Sequence, residues 1–147
     1  MDSSILNDIK QMLGINQPEY TVFDPDIIIC INGAIGALNQ LGIGVDEFHL
    51  TGPQQTWNDL IGVKRYGFQM VKEYVYLKTK VVFDPPTSSV VLESYKTFIY
   101  DLECRMKLIY EVNTDADGNP SGDCDCCKPL TEDQMQNLIN DLGGDQP

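Results

Sequence analysis

The chain has 147 residues, 42 % of them hydrophobic. That is room for one domain with a tail and a modest core, and no run reaches the roughly 18 apolar residues of a membrane span. The net charge of −12 is unevenly placed: residues 1–110 hold 13 acids against 9 bases, whereas residues 111–147 hold 9 acids against Lys128 alone. Both parts repel nucleic acid unless a local basic patch intervenes, so a sequence-specific DNA or RNA binder is not expected.

The N-terminus, "MDSSILNDIK", has no basic leader region, so the expectation is a cytosolic start and not a signal peptide. In "SSILNDIKQMLG", Ile5, Leu6, Ile9, Met12 and Leu13 recur at helical spacing; Ser3 or Ser4 caps the start and Gly14 closes the end. After a connector, "FDPDIIICINGAIGALNQLG" gives a second helix with Asp24 as N-cap and Pro25 at the first helical position. Ile27, Ile31, Ala34, Leu38 and Leu41 form its stripe, widened by Ile28 and Ile35, and Gly42 ends it. Gly33 and Gly36 lie inside this helix at about 1 kcal/mol each relative to alanine. They imply either close approach of another backbone or simple tolerance.

Residues 43–62 lack a sustained period and read as a loop with a short helical turn started by Thr56. Its apolar side chains, Phe48, Leu50, Trp57 and Leu60, require that it fold onto something. Trp57, the only tryptophan, is a core lid or a partner anchor. Two long elements flank "FDPP": Val63, Tyr66, Met70, Tyr74, Leu77 and Val81 before it, and Val91, Tyr95, Phe98, Leu102, Met106 and Ile109 after it. Asp101 with Arg105 and Glu103 with Lys107 are supportive i,i+4 pairs. Pro85 and Pro86 break the helix and Thr87 or Ser88 caps the next one, giving a helical hairpin with a proline corner. "YVYLKTKVVF" is also rich in strand formers, but its helical stripe is longer than its alternation.

From Asn113, "NTDADGNPSGDCDCCKP" is turn formers and charge, hence a flexible acidic linker. "LTEDQMQNLINDLGG" then forms a helix cassette in which Thr131 and Gln134 make a capping box and Leu130, Met135, Leu138, Ile139 and Leu142 share a face. A helix this short is marginal alone and must dock to be stably formed.

The linker carries the metal candidates. Asn113, Asp115, Asp117 and Gly118 match positions one, three, five and six of a calcium loop, but Pro120 sits at position eight and Cys124 replaces the bidentate glutamate at twelve. Cys124 and Cys127 are spaced as a zinc-binding pair, yet no second pair exists, since Cys30 and Cys104 fall on core helices. Asp115, Asp117, Cys124 and Cys127 are thus weak candidates, and neither a metal nor a cofactor is expected. The five cysteines read as reduced thiols. His49, the only histidine, is a loop residue, and no nucleophile–base arrangement, phosphate loop or carboxylate pair supports catalysis.

"SSILNDIKQMLGI", "FDPDIIICINGAIGALNQLGIG", the lone tryptophan in "TWNDLIG" and "VKEYVYLKTKVVFDPPTSSVVLES" together resemble the head–tail connector (adaptor) proteins of long-tailed bacteriophages, over roughly residues 1–110. The resemblance implies a small helical bundle in a dodecameric ring beneath the portal. Such a ring extends the DNA channel without gripping DNA in a sequence-specific way, presents a surface to the stopper or tail-completion protein, and catalyses nothing. It also implies synthesis in the host bacterial cytoplasm and a final place in the virion neck.

The expectation is therefore an all-α protein: a helical connector domain over 1–112 with a long hairpin, a flexible acidic linker over 113–129, and a C-terminal amphipathic docking helix and tail over 130–147. Leu130, Met135, Leu138, Ile139 and Leu142 are the candidate partner-binding residues, and Phe48, Leu50 and Trp57 are candidate contacts with ring neighbours. The competing readings are a small calcium- or zinc-responsive helical module and another neck component such as a stopper.

Overall fold

The computed structural model describes residues 2–62 and 67–111. Five helices follow in order: α1 (Ile5–Met12), α2 (Asp24–Gln40), α3 (Trp57–Ile61), α4 (Phe68–Phe83) and α5 (Ser89–Glu111). The architecture is an all-α bundle, and no strand occurs among the described residues. α2 and α4 form its central pair, α5 returns along α4, and α1 closes one side against both α2 and α4.

Local chemistry sets most helix ends. Ser4 caps α1, its hydroxyl accepting from the Asn7 amide. Gly14, at φ +90°, donates to the Gln11 carbonyl while Ile15 donates to Lys10, and Gly42, at φ +75°, closes α2 the same way with Ile43 donating to Leu38. Thr56 and Asp59 form a reciprocal capping box on α3. α2 begins one residue earlier than expected: Phe23 is the N-cap, Asp24 is already helical and makes no cap bond. The Asp24 carboxylate is drawn instead to Lys10, 2.7 Å away. The Lys10 side chain is buried and also donates to the carbonyls of Pro18 (3.3 Å) and Tyr20 (2.8 Å), so one ammonium staples the connector between α1 and α2.

The core is the stripe of α2 (Ile27, Ile31, Ala34, Ile35, Leu38) against Val71, Tyr74, Val75 and Leu77 of α4, with Ile5, Leu6 and Ile9 of α1 and Ile99, Leu102 and Met106 of α5. Residues 43–56 are wired onto it. The Asn32 side chain both donates to the Leu50 carbonyl (2.9 Å) and accepts from its amide (2.8 Å), imitating a backbone pair. Gln55 ties together His49, Thr51 and Gly52. Gly44, at φ +94°, sits where a Cβ would lie 3.2 Å from the Leu60 carbonyl, so only glycine fits without a shift.

The structure bears on four further expectations. A Cβ at Gly33 or Gly36 would meet nothing within 4 Å among the described residues, which favours simple tolerance over close approach of another backbone there. α4 starts at Phe68 behind Gly67, whose φ of +80° interrupts the stripe; Val63 and Tyr66 lie outside the described residues. Glu103 turns across the hairpin, accepting from Tyr74 Oη at 2.7 Å and facing Lys78 at 3.7 Å, instead of pairing with Lys107, whereas Asp101 and Arg105 do pair. On α5, Ile99 takes the buried position expected for Phe98, and Val91 and Phe98 are exposed. Among the described helices α5 is the longest; Val90, Val91 and Phe98 near its start are exposed, whereas Ile99, Leu102 and Met106 belong to the core.

Candidate interaction surface

The expected partner-binding residues Leu130, Met135, Leu138, Ile139 and Leu142, and the weak metal candidates Asp115, Asp117, Cys124 and Cys127, lie outside the described residues. Among the described residues no group of three or more His, Cys, Asp and Glu side chains is placed to hold a metal. Nor is any described helix long and apolar enough to cross a membrane.

Of the three candidate neighbour contacts, Leu50 and Trp57 are 0 % exposed and belong to the chain's own core, so neither presents surface to a second molecule; Phe48 is half-buried against that core. Trp57 has the lid role. Its ring meets Phe68 edge-on at 5.9 Å, and its indole N–H donates to Asp8 at 3.0 Å. Asp8 also accepts from Ser3 (2.7 Å) and from Lys72 (2.6 Å). Burial alone would raise the Asp8 pKa, but the hydrogen bonds from Lys72, Ser3 and Trp57 outweigh it and hold the carboxyl below the usual range. Tyr74 is shifted the other way: burial and the Glu103 carboxylate both favour the neutral phenol.

The apolar surface left open is elsewhere. At one end of the bundle, Leu13, Ile15, Phe23, Ile29, Val82 and Phe83 line a groove of about 680 Å³ with Asp26 and Asp84 at its rim. Phe23 holds it together, its ring edge-on to Tyr20 at 5.7 Å and to Phe83 at 5.8 Å. Ile29 is 69 % and Val82 68 % exposed. Cys30 lies here as a free thiol whose pKa burial and Asp26 both raise, so it is a poor nucleophile. A second groove, of about 770 Å³, runs along the outer face of α5 from Ser89 to Asp101, bounded by Val90 and Phe98. Single exposed apolar residues are ordinary; several converging on one groove make it a candidate for contact with another chain.

The sequence reading did not single these positions out, although one signal was there. Ile27, Ile28 and Ile29 are consecutive, and three adjacent residues of a helix span about 200° of its circumference, so they cannot all face one core. Val90 beside Val91 carries the same message.

The whole described bundle matches one family. Residues 5–113 match the model of the phage connector proteins, beginning at the first residue of α1 and ending two residues past α5. The chain belongs to the phage connector protein family. No curated protein and no solved structure matches it. The open grooves are thus features of a connector, a structural class that works by contact with other chains, and residues 114–147 fall beyond the family match.

Proposed function

We propose that this connector forms a ring under the portal, extends the DNA channel and joins the capsid to the stopper or tail. The observation that carries the reading is the family match over residues 5–113, which spans the bundle from end to end. Supporting it is the surface just described. Ring closure needs two different faces on each subunit, one to present and one to receive, and the end groove and the α5 face lie on different elements. Twelve subunits, synthesis in the bacterial cytoplasm and a final place in the neck are what the resemblance to adaptor proteins implies. The mildly acidic body, −4 over residues 1–110, suits a channel wall along which DNA slides. Contact and not catalysis is the mode of action.

In this reading residues 1–112 are the connector domain, 113–129 the tether, and 130–147 a docking element. Met135, Leu138, Ile139 and Leu142 insert into a groove of the portal or of an adjacent connector in the assembled neck, the tether raising their effective concentration. Leu138→Asp should abolish portal binding in a pull-down while the circular-dichroism spectrum and melting of the body stay unchanged. Undiminished binding by that variant would remove the docking role from the segment.

A further inference from the structure

α5 is built in two unlike halves. We infer that in the free subunit residues 89–98 wind and unwind as a unit of their own, while residues 99–109 stay packed on the bundle. The second half is anchored: Ile99, Leu102, Cys104 and Met106 are buried, and Glu103 accepts from Tyr74 at 2.7 Å. Along residues 89–98 no side chain is buried. Val90, Val91 and Phe98 are exposed, Leu92 is half-buried, and Tyr95 packs against the core from a half-buried position. Opening this half therefore uncovers little apolar surface, and burial of an apolar face is what chiefly holds a protein helix wound.

Local chemistry does not make up for the missing burial. The 10 residues 89–98 are fewer than the roughly 12–15 that an isolated helix needs in water. Val90, Val91 and Thr97 are β-branched, and each loses side-chain freedom against the preceding turn. The Ser94 and Thr97 hydroxyls donate back to the carbonyls of Val90 (2.9 Å) and Glu93 (3.0 Å), a contact that bends a helix and slightly weakens it. The first turn carries no acid to offset the positive end of the helix. Winding is helped by the Glu93–Lys96 pair at 2.8 Å, but both side chains are more than half exposed and such pairs are weak. α1 makes the contrast: at 8 residues it is shorter still, yet Ile5, Leu6 and Ile9 are buried and Ser4 caps it. In the ring reading proposed above, on which this consequence rests, a neighbouring connector seats only on the wound α5 face. Ring closure and winding are then linked, and each subunit offers that face in proportion to the fraction wound.

Hydrogen exchange of the full chain, read amide by amide at a concentration where light scattering gives the mass of a single chain, tests this. Amides 93–98 should be at least about tenfold less protected than amides 102–106. Their exchange should be nearly independent of sub-denaturing urea, as a local opening that exposes little surface requires, whereas amides 102–106 should follow global unfolding. Ser94 is exposed, so both of its small replacements fold. Ser94→Gly should be about fivefold less protected over 93–98 than Ser94→Ala, with 102–106 alike in the two variants. Equal protection of the two halves with the same urea dependence would overturn the inference. So would a difference between the glycine and alanine variants that spreads to 102–106, because the helix would then open only as a whole. No partner is present in this experiment, so failure here leaves ring formation and portal binding to their own tests.

Discussion

Trp57 separates two accounts of how this connector uses its only tryptophan. Were it an anchor for a neighbouring subunit, its removal would spare the monomer and break the assembly. The structure assigns it to the monomer: the side chain is 0 % exposed, contacts Phe68 edge-on at 5.9 Å and donates to Asp8 at 3.0 Å. Truncating a buried tryptophan costs about 3–5 kcal/mol in lost transfer and cavity. The aromatic pair adds about 0.5–1.5 kcal/mol, and the lost indole donor about 1 kcal/mol, since Ser3 and Lys72 still satisfy Asp8. Trp57→Ala should therefore destabilise the chain by about 4.5–7.5 kcal/mol, a large share of the ~5–15 kcal/mol available to a domain of this size. Trp57→Phe keeps the ring contact and should cost about 1–3 kcal/mol. Urea unfolding followed by far-ultraviolet circular dichroism measures both. A Trp57→Ala loss below about 1 kcal/mol, together with failure to assemble, would refute the lid assignment.

Lys10 and Asp24 provide a second test. Lys10→Met removes the ammonium that joins Asp24 and the carbonyls of Pro18 and Tyr20, and should cost about 2–4 kcal/mol by urea unfolding, less than a fully buried pair because Asp24 keeps some contact with water. Adding Asp24→Asn should cost about 1 kcal/mol less than the sum of the two single changes; strict additivity would show that the two charges do not interact. Asp8 predicts a pH dependence. Its folded carboxyl titrates below its ordinary value of 3.8, so as pH falls the unfolded chain takes up the proton first. The stability it contributes is complete above that value and is lost as pH drops through the folded pKa. Asp8→Asn should flatten the acid limb of the stability–pH curve below about pH 4, and an unchanged limb would remove Asp8 as its source.

Much of the fold was legible because it is written locally. Ser4, Gly14, Gly42 and the Thr56–Asp59 pair announce helix ends within three or four residues, and the proline corner at 85–86 separates α4 from α5. What escaped was set by tertiary geometry. A lysine near the end of α1 reads as a surface residue, yet Lys10 is buried because the connector folds back over it with two carbonyls and Asp24. Phe98 and Ile99 are equally apolar, and it is the packing of α5 against α4 that places Ile99 in the core and leaves Phe98 exposed. The interaction surface was the least legible part: helical periodicity finds the face a helix buries, whereas Ile29, Val82 and Val90 are apolar residues left outside that period.

The measurement closest to the central claim is the mass of the purified chain by light scattering, alone and mixed with the portal protein of its phage, with and without a chelator. The connector reading predicts a complex with about one chain per portal subunit, unaffected by chelator. A chain that stays separate from the portal, and compacts instead when calcium or zinc is added, would contradict it.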